Sequence, residues 1–511
     1  MTYTRPNVWE LGGEWAEPIL WYARGVAAMR ERPLSEPTSW RFYAGIHGFD
    51  RQLWRQLGYL GASDRLPSDA LRRRFWAQCQ HGSWNFLPWH RGYLLAFEQV
   101  VRAEIVRLGG PADWALPYWD YFKPGQNALP PAFARPDWPD GGTNPLFVPA
   151  RYGPAGDGKV FVPLNNVNLR AMNERAFTGV SNGASPGFGG VDTGFSHSGR
   201  IPGALESQPH NMVHVLVGGD NGVLPGVMTV PDTAGLDPVF WLHHANIDRL
   251  WESWNRATPS HRNPTGARWA AGPAGRGQRA FAMPKPDGST WTFTPGEVTD
   301  LVTLGYTYTD LPSAIAAAPP AEPRERLARP EIAARLEGAR PVPEDTHVEL
   351  VGTSPGPVPI QGSDIRSHVR LDAGMRRKVT ARLAPALRAV GSPAAAPEQV
   401  FLNLENIRGQ SDRAAFDVYV GVPDDQDPAA FPDRLAGSIA PFGLRKASAP
   451  DQEHAGQGLT FVLEITQIVD QLHLDSSFDV DTLPVRIVPI GPVAPEADVS
   501  VGRISIFRSG R

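Results

Sequence analysis

Hydrophobic and polar positions follow different patterns in the two parts of the chain. Up to about residue 310, apolar residues recur at helical spacing in stretches that long loops separate. Helices are predicted at Trp40–Tyr59, Arg72–Gln80, Pro88–Leu108, Gln208–Val217 and Asp237–Arg256. Pro88 can occupy a first turn, and Asp237-Pro238 forms an N-cap and N1 pair. This part is therefore predicted to be mainly α, a helical bundle with long irregular insertions.

After about residue 346 the pattern changes to short segments of alternating apolar and polar residues. Gly, Pro, Asp and Ser separate these segments, which is typical of strands joined by turns. At least five strands predict an all-β sandwich or barrel: Phe401–Ile407, Phe416–Val422, Thr460–Thr466, Val485–Ile490 and Val499–Phe507.

A segment of different composition lies between the two parts. Residues 311–345 are rich in Ala, Pro, Glu and Arg and lack aromatic residues, which indicates a linker with a short helix around Pro330–Gly338. The predicted organisation is a helical domain at 1–310, a linker at 311–345 and a β-domain at 346–511.

Composition and charge exclude several classes of protein. The 49 Lys+Arg against 53 Asp+Glu leave no basic surface for nucleic acid. Cys79 is the one cysteine, so no disulfide can form within the chain. No apolar run approaches the length of a membrane span, and the first residues do not resemble a secretory signal. We therefore expect a cytoplasmic protein, with export by a partner chain left open.

Histidines are concentrated in the helical part. Eight of the 13 lie at or before position 244: His47, His81, His90, His197, His210, His214, His243 and His244. The pair His210 and His214 is four residues apart on one predicted helix, so both rings can share a metal ion. On another helix, His243 and His244 point about 100° apart, so one of the two is expected to face the same ion.

Three further histidines come from three separate segments. His47 lies on an earlier predicted helix, and Pro88 separates a loop that carries His81 from the first helical turn that carries His90. Two three-histidine sites in a bundle core would result, with scattered structural histidines as the alternative. Asp248 lies four residues after His244, where it could accept the second ring N–H of a ligand or form an exposed or intrahelical ion pair.

The residue types narrow the choice of metal. Di-iron bundles need Glu-x-x-His motifs on their helices, and the predicted helices carry none. All-imidazole ligation suits copper or zinc. Three imidazoles on each of two ions leave open positions for a small molecule such as O₂. A zinc bundle without catalytic activity is the alternative.

Two long motifs resemble the type 3 copper family of tyrosinases, catechol oxidases and molluscan hemocyanins. The first comprises Cys79–Glu98 and Leu116–Asp120, and the second comprises Pro209–His214, Gly218-Gly219 and Asp237–Trp251. Gly305–Tyr308 resembles the Tyr-x-Tyr motif that closes the catalytic domain of the family. Ala415–Val420 is similar to the C-terminal β-domain of plant-type polyphenol oxidases. The resemblance implies a four-helix bundle core around a dicopper centre.

The resemblance also implies which residues bind copper. Copper A would be held by His47, His81 and His90, and copper B by His210, His214 and His244, since the family uses the second residue of the His-His pair. In fungal-type members a cysteine at the position of Cys79 forms a thioether to the following histidine, here His81. A buried thiol without a crosslink is the alternative. By the same analogy Phe240 packs beneath the copper pair.

The implied activity is oxidation of small phenols by O₂, with o-hydroxylation of monophenols and two-electron oxidation of o-diphenols to o-quinones. Glu206 and Asn211 occupy positions at which plant-type members hold a water that takes the phenol proton. A charge at a helix N-terminus and a surface amide are the alternatives. An o-aminophenol oxidase, a strict catechol oxidase and a hemocyanin-like oxygen carrier remain open.

The resemblance also implies roles for the β-domain and for a residue near copper A. The β-domain is expected to cover the copper site as a lid, or else to stabilise the chain or an oligomer. Pro231 or a neighbour is expected at the position of a gate over copper A. The natural phenol, the possible homo-oligomer and a link to melanin stay open.

Overall fold

The computed structural model describes residues 2–197, 199–311, 348–372, 399–450, 456–474, 481–491 and 493–509. The chain divides into two compact units, Met1–Thr178 with Gly187–Ile315, and Gly179–Pro186 with Ala316–Arg511. Apart from residue 311, the described ranges reach neither the predicted linker nor its predicted helix at Pro330–Gly338. Within those ranges, no helix is both long enough and apolar enough to cross a bilayer.

The first unit is mainly helical, as the sequence predicted. Its α-helices are α1 (Glu17–Glu31), α2 (Trp40–His47), α3 (Arg51–Gln56), α4 (Asp69–Phe75), α5 (Phe86–Arg107), α6 (Pro131–Ala134), α7 (Met212–Gly218), α8 (Pro231–Ala234), α9 (Pro238–Ala257), α10 (Ala267–Ala270) and α11 (Leu301–Leu304). A wider helical turn, Glu206–Asn211, leads into α7. The short strands are β1 (Tyr3–Arg5), β2 (Thr178–Gly179), β3 (Gly190–Val191), β4 (Phe281–Pro284), β5 (Thr290–Phe293) and β6 (Tyr306–Tyr308).

The helix that was predicted over Trp40–Tyr59 is in fact two helices, α2 and α3. Gly48 is extended, and the Asp50 side chain then accepts the backbone N–H groups of Gln52 and Leu53 as a new N-cap. The prediction of one continuous helix was wrong because the apolar spacing continues across this break. The apolar pattern also missed α1, and it predicted α4 to begin three residues and to end five residues too late.

Helix α5 forms the centre of the helical unit. It is buried along most of its length and packs against α1 and α9. The Phe97 ring of α5 stacks on Trp241 of α9 at 3.5 Å between centroids. Asp237 caps α9 by accepting the N–H of Val239, as predicted. The stacking of Phe97 on Trp241 therefore holds α5 and α9 close together.

The second unit is an antiparallel β-structure, as the sequence predicted. Its strands are β7 (Val348–Thr353), β8 (Val358–Pro359), β9 (Ile365–Leu371), β10 (Gln399–Arg408), β11 (Phe416–Val420), β12 (Leu435–Ile439), β13 (Leu459–Glu464), β14 (Thr482–Pro489) and β15 (Ser500–Ser509). Its described helices are α12 (Leu444–Ser448) and α13 (Thr466–Leu474).

The strands of the second unit form a single sheet. Their order is β12-β11-β14-β9-β7-β15-β10-β13, and β8 pairs with β15. The sheet curls into a nearly closed barrel, and its inward positions form one apolar core that includes Val418, Leu402 and Ile504. All five predicted strands are present. The sequence pattern missed β7, β8, β9 and β12. Strand β8 has two residues, and β7 and β12 each contain a glycine, which weakens the strand pattern.

Candidate metal centre

Six histidine side chains converge in the interior of the helical unit. His47 ends α2, His81 lies in the loop before α5, and His90 lies in the first turns of α5. His210 and His214 come from the wide turn and α7, and His244 comes from α9. All six side chains are buried. These six predicted ligands thus come from four helices, one wide helical turn and one loop.

The first cluster consists of His47, His81 and His90. The ring centroid of His47 lies 5.2 Å from that of His81 and 5.6 Å from that of His90, and the His81 and His90 centroids are 5.6 Å apart. Hereafter this is cluster A.

The second cluster, cluster B, consists of His210, His214 and His244. Its ring centroids are 4.5 to 5.4 Å apart. The Nε2 atom of His244 lies 3.3 Å from the Nε2 atoms of both His210 and His214. Three ring nitrogens therefore meet at one point.

The two clusters adjoin each other. The rings of His90 and His244 stack with centroids 4.4 Å apart and planes 11° apart. The Phe240 ring lies 4.2 Å from the His244 ring and 5.0 Å from the His47 ring, so it contacts both clusters. Two metal ions held by these clusters would be close neighbours.

Hydrogen bonds fix the tautomer of four of the rings. The Nδ1 atom of His47 lies 2.7 Å from the Pro231 carbonyl, and that of His90 lies 2.8 Å from the Phe86 carbonyl. In cluster B, His214 Nδ1 lies 2.9 Å from the Met228 carbonyl and His210 Nδ1 lies 2.8 Å from Asn211 Oδ1. Carbonyl oxygens only accept, so each Nδ1 donates and each Nε2 of a neutral ring presents a lone pair. The carbonyl of Pro231, the residue expected at the gate position, thus orients a ring.

The converging lone pairs fit a cation. His210 and His214 both direct Nε2 lone pairs at His244 Nε2, and one proton on His244 can satisfy only one of them. In cluster A the Nε2 atom of His90 is buried with no hydrogen-bond partner among the described residues. A buried polar atom without a partner is costly. A metal ion in each cluster would satisfy these atoms, and imidazole nitrogens are the ligands that copper and zinc accept.

Electrostatics keep the rings in the form that binds metal. Burial lowers the pKa of His81, His90, His210, His214 and His244 well below the ordinary histidine value, and neighbouring histidines lower it further. The rings are therefore neutral at pH 7, with a lone pair available to a metal.

His243, which is not in the expected ligand set, lies beside cluster B. Its ring centroid is 5.0 Å from that of His214, and ligand atoms of His210, His214, His243 and His244 all lie within 4.8 Å of one another. Its Nδ1 atom lies 3.4 Å from the Tyr121 hydroxyl. Helical spacing alone did not indicate this proximity, because adjacent residues point in different directions.

Glu206 is a buried carboxylate near the loop that carries His81. Both of its oxygens accept the Gly82 backbone N–H, at 2.8 and 3.0 Å. Burial raises the pKa of Glu206 to about 8, although backbone hydrogen bonds from Gly82, Gly203 and Ser83 oppose this rise. Such a carboxyl group can exchange a proton near neutral pH.

Asn211 is directed at a predicted ligand. Its Oδ1 accepts the Nδ1–H of His210, so the amide oxygen orients the ring rather than facing the protein surface. Outer contacts of this kind fix the tautomer of a ligand and raise its basicity.

Cys79 is buried in contact with two histidines. Its Sγ lies 3.5 Å from His81 Nδ1 and 3.1 Å from His197 Nδ1. The sequence singled out His81 as the partner of this sulfur and gave no reason to place His197 there, because 118 residues separate His197 from Cys79.

Asp248 has a different role from the one that the sequence suggested. Its carboxylate does not meet a ligand ring but lies between the guanidinium groups of Arg5 and Arg91, at 3.3 and 2.5 Å. It also accepts the hydroxyl groups of Tyr306 and Tyr308. The prediction failed because the buried arginines compete for the carboxylate. The Tyr-x-Tyr segment and the N-terminal strand are thereby anchored to α9.

Comparison with known proteins identifies the family. The chain is 33% identical over 517 residues to "Tyrosinase HcTyr1" of Hahella sp. (strain CCB-MM4), which covers 98% of both chains. The chain belongs to the tyrosinase family. The family described as the common central domain of tyrosinase matches residues 37–187 and 157–257. This tyrosinase-family protein is therefore an oxidoreductase, and proteins of its family bind a dicopper centre.

More distant relatives show the same architecture. A chloroplastic polyphenol oxidase of Malus domestica is 24% identical over 92% of this chain and 72% of its own length. The structure of latent apple tyrosinase covers 100% of this chain and 98% of its own, with a TM-score of 0.60 and 20% identity, which shows a shared fold. Residues 347–509 match a domain of unknown function.

The expected cytoplasmic location is contradicted by these relatives. Several curated plant polyphenol oxidases that match this tyrosinase-family chain are chloroplastic. The expectation of a cytoplasmic protein is therefore withdrawn.

Proposed function

We propose that this protein oxidises small phenols with O₂ at two copper ions, one held by His47, His81 and His90 and the other by His210, His214 and His244. The activity comprises o-hydroxylation of monophenols and oxidation of o-diphenols to o-quinones. The observation that carries the proposal is the convergence of six buried imidazoles, of which His210 and His214 direct Nε2 lone pairs at His244 Nε2 from 3.3 Å. When bound, the copper pair supplies O₂ activation and accepts electrons from the phenol.

The protein must also remove a proton from the phenol. A phenol has a pKa near 10, so forming its anion at pH 7 costs about 4 kcal/mol. Glu206 is the candidate base, because burial raises its pKa to about 8, closer to that of the phenol than an ordinary carboxylate. Asn211 has a different role, because its side-chain oxygen accepts the Nδ1–H of His210 and so orients one ring of cluster B.

The pH dependence tests this role. The Glu206 carboxyl is protonated below about pH 8 and becomes a base above it, so hydroxylation of tyramine should rise with pH up to this point. Glu206→Gln should lower monophenol hydroxylation by about 100-fold or more and remove this rise. Oxidation of catechols, which need no hydroxylation, should fall much less.

A control and a substrate panel complete this experiment. Glu104→Gln alters a buried carboxylate that pairs with Arg32 and Arg107, and it should leave the ratio of the two activities unchanged. Copper-loaded protein is assayed with tyrosine, tyramine, 4-hydroxybenzoate, catechol and 2-aminophenol. Turnover of catechol alone, or of aminophenol alone, would contradict the proposed hydroxylation. A protein that binds zinc and turns over no phenol would contradict the proposed oxidase activity.

We also propose that residues 346–511 act as a lid on this activity. The support is the likeness to a tyrosinase whose structure is described as latent. Cleavage of the 311–345 segment by limited proteolysis should raise turnover of a bulky catechol. Unchanged turnover after removal of residues 346–511 would refute the lid.

A third part of the proposal is a thioether between Cys79 and His81. The sulfur lies 3.5 Å from His81 Nδ1, and both side chains are buried. Since His81 is the one proposed ligand that lies in a loop, a covalent bond would restrict its rotamers and preorganise the site.

A further inference from the structure

A short segment that contains Ser196, His197 and Gly199 lies alongside the loop that carries His81. The backbone N–H of His81 donates to the Ser196 carbonyl at 3.3 Å, and the Gly199 N–H donates to the His81 carbonyl at 2.6 Å. The Ser196 N–H also donates to the Gln80 side chain at 2.8 Å. The loop is thus held on both sides of His81 by residues more than 100 positions away in sequence.

His197 adds contacts to both the backbone and the sulfur of Cys79. Its Nδ1 atom lies 3.1 Å from the Cys79 carbonyl and 3.1 Å from Cys79 Sγ. Because the carbonyl only accepts, Nδ1 carries a proton and donates to the oxygen. The sulfur, at the same distance from this N–H, is a second acceptor. His197 therefore restricts the position of the sulfur.

The two segments approach so closely that glycine is required. Gly82 has a φ of +56°, and a Cβ atom on Gly199 would collide with the carbonyl oxygens of His81 and Gly82. Any side chain at Gly199 would push the segments apart. The close approach keeps His197 over Cys79.

We propose that Ser196, His197 and Gly199, here called the clamp, hold the Cys79 sulfur against the His81 ring and direct the thioether to that ring. His197 is a positioning residue in this reaction. The inference rests on the proposed function, since copper and O₂ must be present for the crosslink to form.

The chemistry of the crosslink identifies the reacting atoms. Of the two carbons bonded to His81 Nδ1, only Cε1 carries a hydrogen, so the S–H bond of Cys79 and the Cε1–H bond of His81 break and a C–S bond forms. Two electrons and two protons leave and reduce O₂ to H₂O₂, which balances the reaction. As a proposed copper ligand, His81 has electron density withdrawn from Cε1, whereas His197 is not in the proposed ligand set.

Mass spectrometry of the full-length protein tests the clamp without an activity assay. Trypsin releases Phe75–Arg91, which contains both Cys79 and His81, and Ala176–Arg200, which contains His197. Apo protein is loaded with copper in air and sampled over time. In the wild type, Phe75–Arg91 should lose two hydrogen atoms and its reactivity towards iodoacetamide after denaturation.

Two substitutions of His197 distinguish the effect of its N–H group from a general effect on the fold. His197→Leu removes the N–H and should slow the crosslink by about tenfold or more, since misplaced reacting atoms cost that much. His197→Asn places an amide N–H near the position of Nδ1 and should restore much of the rate. His368→Leu, at a half-exposed histidine of the β-domain, should crosslink like the wild type.

Several outcomes would overturn the clamp. One is a crosslink that joins Phe75–Arg91 to Ala176–Arg200, because the sulfur would then have reacted with His197. Another is an unchanged rate in His197→Leu. Copper-loaded wild type that oxidises phenols without losing the two hydrogens would refute the clamp and the proposed thioether but leave the proposed oxidation of phenols in place. Wild type that binds copper and oxidises no phenol would refute the proposed function.

Discussion

Clusters A and B present the same side chains but are built in different ways. Cluster B takes two ligands from one short stretch, His210 and His214, and its third from α9. Cluster A takes each ligand from a different element, and His81 lies in a loop. The four-residue spacing therefore sets most of cluster B locally, whereas cluster A depends on contacts between distant segments.

The groups that orient the rings differ as well. In cluster A the Nδ1 atoms of His47 and His90 donate to backbone carbonyls, those of Pro231 and Phe86. In cluster B one acceptor is the Met228 carbonyl and the other is the side chain of Asn211. Cluster B can therefore be altered at its outer contacts by a side-chain substitution, while these contacts in cluster A are part of the fold.

The largest effect is expected from removing a ligand. His47→Ala should abolish phenol turnover but retain about half of the copper, because cluster B keeps its three rings. His244→Ala should retain less, since the His244 ring also stacks on His90 of cluster A. Metal analysis of the purified proteins checks both. Equal copper contents in the two variants would show that the clusters are independent.

A smaller effect is expected at Asn211. Asn211→Leu removes the acceptor for His210 and should weaken copper binding at cluster B by about 10- to 100-fold, as loss of such outer contacts does. Asn211→Asp keeps an acceptor oxygen and should bind close to the wild-type level. Titration against a copper chelator measures the affinity.

Met228→Leu is the matched control for Asn211. It changes a buried side chain but leaves the carbonyl that orients His214 in place, so copper affinity should be nearly unchanged. An equal loss in Met228→Leu and Asn211→Leu would mean that packing, rather than the hydrogen bond, determines the affinity.

The smallest effect is expected at the N-caps of two short helices. Ser39 caps α2, which ends at His47, and Ser68 caps α4, which carries no proposed ligand. Replacing either serine by alanine should lower the free energy of unfolding by about 1 kcal/mol. Only Ser39→Ala should also weaken copper binding at cluster A. Thermal unfolding and the chelator titration test this, and equal copper affinities in the two variants would contradict a local link between α2 and cluster A.

The sequence anticipated much of the architecture. Helical spacing of apolar residues located α5 and α9, and alternation of apolar and polar residues located five strands of the second unit. Both patterns reflect burial along a single element. It failed where a polar residue starts a new element, as Asp50 does between α2 and α3. It also failed for Asp248, because a buried carboxylate pairs with whichever cations the fold brings to it.

By itself, the sequence determined which side chains are available and in what local spacing: six imidazoles, the pair His210 and His214 on one face, and a cysteine two residues before His81. Only the tertiary structure decided that these rings meet, that backbone carbonyls orient three of them, and that His197 lies against Cys79. The physical reason is that carbonyl groups are common to every residue and long-range contacts follow from packing. A local pattern of residue types therefore predicts neither which carbonyl orients a ring nor which distant residues come into contact.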